Sequence, residues 1–116
     1  EALGRRVFGP TLEVDVAPDL SISSRTVEGE TIAFGSLSSG AREQLSLLGR
    51  LACAQLVQPG EGVPLIIDDA LGFADPERLR RLGAVLNRVG ETVQTIILIC
   101  QPERFEQIGT AQVVRL

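Results

Sequence analysis

The chain of 116 residues contains no lysine, histidine, methionine, tryptophan or tyrosine. Without lysine, no Gly-x-x-x-x-Gly-Lys-Ser/Thr phosphate loop can be assembled from these residues. Without histidine, and with two cysteines, a soft-metal site of ordinary ligand spacing is excluded. Four phenylalanines are the only aromatics, so a core must be built from Leu, Ile, Val and Ala. The longest apolar runs fall far short of the ~20 residues that cross a bilayer, and the first residues lack the order of a signal peptide. No membrane partner is expected, and the chain reads as cytoplasmic. A basic surface is missing too: 11 Arg face 15 Asp and Glu, a net charge of -4, with a pI near 4.8. That argues against a broad nucleic-acid face on the chain itself. Arg78, Arg80 and Arg81 cluster on one segment, either a local basic patch or a solvated helix face. Cys53 and Cys100 lie in apolar segments, where a thiol packs as a small hydrophobe. A disulfide between them stays open, although nothing else suggests a secreted scaffold.

What is present has a clear order. The length suits one domain or a piece of one. Glu1 to Val7 reads as the end of a helix, broken by Phe8-Gly-Pro10. Alternation over 12–16 and 20–27, a turn at Glu28-Gly-Glu30 and a short run over 31–34 predict an antiparallel meander of three strands. A helix follows over 41–57, with Ala41, Leu45, Leu48, Ala52 and Leu56 on one stripe. Leu47 and Leu51 widen that stripe to two buried sides, and residues 58–62 stop the helix. Residues 63–67 predict a strand buried on both faces. Asp75-Pro76 starts a helix whose stripe is Leu79, Leu82, Leu86 and Val89 and which ends at Gly90. A strand over 95–100, a short helix from Gln101 that stops near Gly109, and a last strand over 112–116 complete the chain. Strand and helix alternate as in a parallel sheet with crossover helices. The expected fold is α/β: an N-terminal antiparallel β-meander, then a mostly parallel sheet with flanking helices.

Two constellations carry chemistry. Asp68 and Asp69 end a buried strand, where ligands bind in open α/β sheets. A carboxylate there can hold Mg²⁺, and its neighbour can orient a water. The plain alternative is a strand end that caps the next turn. Ser38, Ser39 and Gly40 precede a helix, so free N–H groups, a positive dipole end and two hydroxyls offer an anion site. The plain alternative there is an ordinary Ser/Gly cap.

Together, Leu37-Ser-Ser-Gly-Ala-Arg-Glu-Gln44 and Pro64-Leu-Ile-Ile-Asp-Asp-Ala-Leu-Gly-Phe-Ala-Asp-Pro-Glu-Arg-Leu79 look like the signature motif, Walker B strand and D-loop of an ABC-type ATPase. Residues 37–105 resemble the C-terminal lobe of such a head, and the flanking segments fit that lobe as well. The nearest branch is the structural-maintenance-of-chromosomes proteins and related bacterial DNA-repair ATPases, which carry a long coiled-coil insertion. In that branch the Walker A loop lies in a separate N-terminal lobe, beyond the coiled coil. The resemblance therefore implies a P-loop NTPase-like half-domain lacking the P-loop. It divides residues 1–116 into a meander (1–36), a signature helix (37–57), a Walker B strand and D-loop (63–79), and a switch strand with a C-terminal strand (95–116).

By the resemblance, Ser38 and Gly40, with Ser39 between them, meet the γ-phosphate of ATP held by an opposing head. Asp68 serves Mg²⁺, Asp69 occupies the place of the catalytic glutamate, Asp75 is the D-loop aspartate, and Gln101 falls where a switch histidine sits. Ser39 and Ala41 replace the usual second glycine and the following Gln or Glu. Asp69 is one methylene shorter than Glu, roughly 1.5 Å of reach. A misplacement of about 1 Å can cost on the order of a hundredfold in rate. Gln101 donates and accepts hydrogen bonds but carries no charge.

The implied function is half of an ATP-binding and hydrolysing head that dimerises around ATP in DNA repair or chromosome maintenance. Its cofactors are ATP and Mg²⁺. Its partners are its own N-terminal Walker A lobe, a second head in a homodimer and, for the full-length protein, DNA. It is an ATPase only when completed. The alternative is a non-catalytic scaffold with a decayed hydrolysis site. The tail of a transporter nucleotide-binding domain fits less well, because there a helical subdomain precedes the signature. A small α/β domain with no nucleotide role is the plainest reading. An isolated lobe with exposed apolar surface is expected to self-associate.

Overall fold

Short-range turn chemistry builds the first half of the chain. The computed structural model describes residues 1–57, 62–72, 74–106, 108 and 110–116. Helix α1 (Ala2–Phe8) leads into β1 (Glu13–Val16), β2 (Ile22–Val27) and β3 (Glu30–Ala33), an antiparallel sheet in the order β1-β2-β3. β2 and β3 meet through Glu28 and Gly29 with Val27 opposite Glu30. Both turn residues have positive φ, 52° and 82°. That is the primed hairpin turn, whose twist matches that of the strands it joins. A bulge between Asp15 and Val16 shifts the β1-β2 register.

A 3₁₀ turn (Phe34–Ser36) delivers the chain to α2 (Ser39–Leu56). The Ser38 hydroxyl accepts from the Ala41 N–H at 3.3 Å and caps the helix. The helix is buried on two sides, as its pattern predicts. Ala41 and Leu45 join Leu37 beneath the meander, against Val14, Ile22 and Ile32. Leu47, Leu48 and Leu51 join the main core. Leu56, expected on the stripe, is 84% exposed, because the last turn runs past the core.

Strands β4 (Leu65–Asp68) and β5 (Thr95–Leu98) form a two-stranded parallel sheet joined by α3 (Pro76–Gly90). Asp75 Oδ1 accepts from the Arg78 N–H at 2.9 Å, so the predicted N-cap with Pro at the first position is in place. Leu82, Val85, Leu86 and Val89 face the main core. Helix α1 packs on α3, and Arg81 Nη1 donates to the Val7 carbonyl at 3.2 Å. A 3₁₀ turn (Pro102–Phe105) follows β5. The architecture is α/β with an antiparallel meander and a parallel pair, as the element order predicts. No helix among the described residues is long and apolar enough to cross a membrane.

Several expectations are corrected. The strand expected to be buried on both faces is covered on one only. Leu65, Ile67 and Ile97 pack on the core, while Ile66, Ile96 and Leu98 are 57%, 41% and 45% exposed. A parallel pair normally has both faces covered, and among the described residues nothing lies over the second. The expected strand over 112–116 is not formed: these residues are exposed and outside any ladder. The adjacent Val113 and Val114 would need a sheet edge, and no described strand offers them a register. Cys53 and Cys100 are free and exposed: Cys53 lies on the outward side of α2, and Cys100 follows the end of β5. The helix stop over 58–61 and the one at Gly109 lie outside the described residues.

Candidate functional site

The loop between β4 and α3 carries two positive-φ residues that are not glycine, Asp69 and Leu71. Its first residue, Asp69, extends the ladder by one bond, donating its N–H to the Leu98 carbonyl at 2.9 Å. Asp69 then takes φ 42° and Leu71 φ 71°. Asp tolerates this left-handed region, but for a bulky residue such as Leu it is strained. Leu71 is held there by burial, at 1% exposure within the main core. The loop closes where the Ala74 N–H donates to the Leu71 carbonyl at 3.1 Å, and Asp75 then caps α3.

Two of the predicted site residues share a cleft. Asp69 and Gln101 line a cavity of about 260 Å³ with Gly72, Cys100, Arg104 and Phe105 among its walls. The parallel register brings them together, because each follows its strand at the same end of the sheet. The other predicted residues do not line this cleft. Asp68, opposite Leu98, is exposed at the end of β4. By strand alternation it lies on the uncovered face with Ile66 and Ile96. Ser38, Ser39 and Gly40 form the start of α2, with Ser38 and Ser39 exposed. The N–H groups of Ser39 and Gly40 belong to a first helical turn and have no acceptor within the helix. Among the described residues no cluster of three or more Asp, Glu or Cys side chains could hold a metal unaided.

Three further residues tie these pieces together, and sequence reasoning missed their roles. Gln44 on α2 is 1% exposed, and its Oε1 accepts from Arg78 Nη1 at 3.1 Å. The same guanidinium lies 4.7 Å from the centre of the Phe8 ring, a cation–π distance. Arg78 thus joins the Asp75 cap to the helix begun by Ser38. The solvated-face reading of the Arg cluster holds for Arg80, but Arg78 turns inward. Arg104 reaches across from the 3₁₀ turn to the 69–75 loop. Its Nη2 donates to the carbonyls of Leu71 and Ala74, both at 3.1 Å, and its Nη1 to that of Gly72 at 3.0 Å. These partners are about thirty or more residues apart in sequence, so no local pattern marks them.

No family model matches the chain. Uncharacterized proteins of Mycobacterium tuberculosis and Mycobacterium bovis are 49% identical to it over 114 residues, which is 98% of this chain. The chain spans 13% of the length of these curated relatives. Among solved structures, a chain described for ATP-driven dimerization and DNA-stimulated activation of SMC ATPases superposes with a TM-score of 0.70 at 10% sequence identity. The match covers 90% of this chain and 66% of that one. The shared feature is the fold: this chain folds as part of an SMC ATPase does.

Proposed function

We propose that the chain is the C-terminal lobe of an ATPase head of the SMC and bacterial DNA-repair type. In this reading it completes an ATP site only together with an N-terminal Walker A lobe and a second head. The observation that carries the proposal is the situation of Asp68. It ends β4 on the uncovered face, beside Ile66, Ile96 and Leu98. A carboxylate at the rim of an apolar surface suits a site finished by another piece of protein. The lobe on that face would belong to the same polypeptide, since the relatives extend far beyond this chain. The working protein would be cytoplasmic, with DNA as a partner of the whole.

The donor set fits magnesium held the way nucleotide sites hold it, by one or two carboxylates plus phosphates and water. Asp68 is exposed at the end of β4, so it would be the protein ligand. Held by Asp68, such an ion would supply neutralisation of the charge growing on the phosphates. Asp69 would orient the attacking water from the strand end, where its N–H bond to Leu98 fixes its backbone. Gln101 would hydrogen-bond that water or a phosphate oxygen from the opposite wall of the cleft. Ser38 uses its oxygen as an acceptor from Ala41. Its hydroxyl hydrogen remains free to donate, with the first-turn N–H groups, to a γ-phosphate across a dimer. Asp75 would present the D-loop to that same partner.

Asp69 and Gln101 also support a second reading, a scaffold that binds nucleotide without turning it over. Phosphate release by the full-length protein with Mg²⁺ and ATP separates the readings. Turnover that falls on the order of a hundredfold or more with Asp68→Asn supports the first. Turnover that rises strongly with Asp69→Glu supports the second. Robust Mg²⁺-dependent ATPase activity from the 116-residue chain alone would sink the lobe assignment.

A further inference from the structure

We infer that Arg104 is a positioning residue: it holds the 69–75 loop in the geometry that hydrolysis requires and ties that loop to the segment carrying Gln101. The inference rests on the ATPase reading above and adds a role that none of the recognised motifs assigns.

The carbonyls of the loop converge on one side chain. Those of Leu71, Gly72 and Ala74 all accept from one guanidinium, at 3.0 to 3.1 Å. Three carbonyl dipoles aimed at one point concentrate negative potential there, and a cation balances it. The planar fork of Arg can engage several acceptors at fixed angles, whereas an ammonium cannot reproduce that pattern. The Leu71 carbonyl uses both of its lone pairs, one for the Ala74 N–H and one for Arg104. Backbone strain at Leu71 gives the clamp something to resist. A bulky residue at φ 71° persists only where its surroundings over-determine it. Here the side chain is locked by the core and the carbonyl by Arg104.

The clamp's position links it to chemistry. Arg104 lies three residues after Gln101 in the turn Pro102–Phe105, which Phe105 and Ile108 anchor to the main core. Asp69 lies two residues before the first clamped carbonyl, and Asp75 one after the last. Releasing Arg104 therefore frees the loop between Asp69 and Asp75 and separates it from Gln101. Arg104 also forms part of the wall of the Asp69–Gln101 cleft, so a direct nucleotide contact is the competing role. That role makes a different kinetic prediction.

The test uses the full-length protein with Arg104→Ala and Arg104→Lys, read by steady-state ATPase kinetics and by amide hydrogen exchange at Ala74, whose N–H is bonded to the clamped Leu71 carbonyl. The clamp predicts faster exchange at that amide in Arg104→Ala, with the amides of α3 and β5 unchanged. It predicts a kcat lower by about a hundredfold with KM unchanged, as for a displacement of about 1 Å. Arg104→Lys, which keeps charge but loses the fork, should recover only part of kcat. If Arg104→Ala does not fold, the lysine variant carries the same readouts. Unchanged exchange at Ala74, or an unchanged kcat, overturns the inference. A raised KM at constant kcat also overturns it, in favour of nucleotide contact. Absence of ATPase activity in the unsubstituted protein overturns the ATPase reading instead, and the exchange arm still reports on the clamp.

Discussion

The meander and the parallel pair are both small sheets, yet among the described residues they leave different kinds of face open to water. In the meander each strand meets the next through a tight turn, and polar cross-strand contacts such as Thr26 Oγ1 to Thr31 Oγ1 at 2.7 Å occupy the solvent side. Its other side rests on Leu37, Ala41 and Leu45. The parallel pair rests on a larger core but leaves Ile66, Ile96 and Leu98 open to water. Antiparallel sheets tolerate one wet face, whereas parallel ones are normally covered on both. Two isolated strands are also marginal alone. What differs between the sheets is therefore where their stabilisation comes from. The meander rests on the first turns of α2, while the parallel pair depends on α3, on the middle of α2 and, in the proposed function, on a further lobe over Asp68.

The strongest way to break this contrast is through the two cores. Leu82 is fully buried at the centre of the cluster beneath the parallel pair. Leu82→Ala should cost about 2–5 kcal/mol, the range for a large cavity in a packed site. Leu45 lies under the meander in a smaller cluster bordered by partly buried neighbours. Leu45→Ala should fall toward the low end of that range, since those neighbours can collapse into the space. Urea unfolding of both variants checks the ranking. A Leu45→Ala loss equal to or above that of Leu82→Ala would show that the sheets are not independently anchored.

A smaller effect sharpens the comparison within a single strand. Ile96 and Ile97 are adjacent, but Ile96 faces solvent and Ile97 packs on the core. Ile97→Asp should unfold the parallel pair. Ile96→Asp should change the stability of the 116-residue chain by only about 0.5 kcal/mol while reducing its self-association, followed by light scattering against concentration. In the full-length protein Ile96→Asp should instead abolish ATP-dependent turnover, because the proposed N-terminal lobe would cover that face. Unaltered turnover there would mean that this face is wet in the working protein.

The order of elements was legible because it depends on periodicity. Alternation marked β1 and β2, and the four-and-three spacing marked both sides of α2. Asp75-Pro76 marked the start of α3 to the residue. The bare face was not legible, because an apolar run such as 63–67 looks the same whether one face or two are covered. The strand expected over 112–116 failed for a related reason: Val113 and Val114 have β propensity, but pairing needs a partner edge that sequence pattern does not supply. At the candidate site, the carboxylates and the Ser-rich cap stood out by their place between apolar segments. Gln44, Arg78 and Arg104 did not, since each acts through a side chain that crosses to another element. Their partners exist only after the helices have packed.

The smallest expected effect lies on neither sheet. Glu77, in the first turn of α3, accepts from Arg80 at 2.9 and 3.1 Å and from Arg81 at 2.9 Å. Hydrogen bonds from Arg80, then from Arg81, hold its carboxyl well below the usual value of 4.5, at about 2. The carboxylate also favours the positive end of the helix. A folded-state value below the unfolded one means that the contribution to stability is complete above about 4.5 and is lost as pH falls through about 2. Because the pair is solvent-exposed, its contribution is small and weakened by salt. Thermal melts of the parent chain and Glu77→Gln should therefore differ slightly at pH 7 and low salt, and converge as the pH drops from 4.5 toward 2. Divergence over that interval would contradict the assignment. Convergence that also shifted the exposure of Ile96 would show α3's solvent side to be coupled to the parallel pair, against the separation drawn between the two sheets.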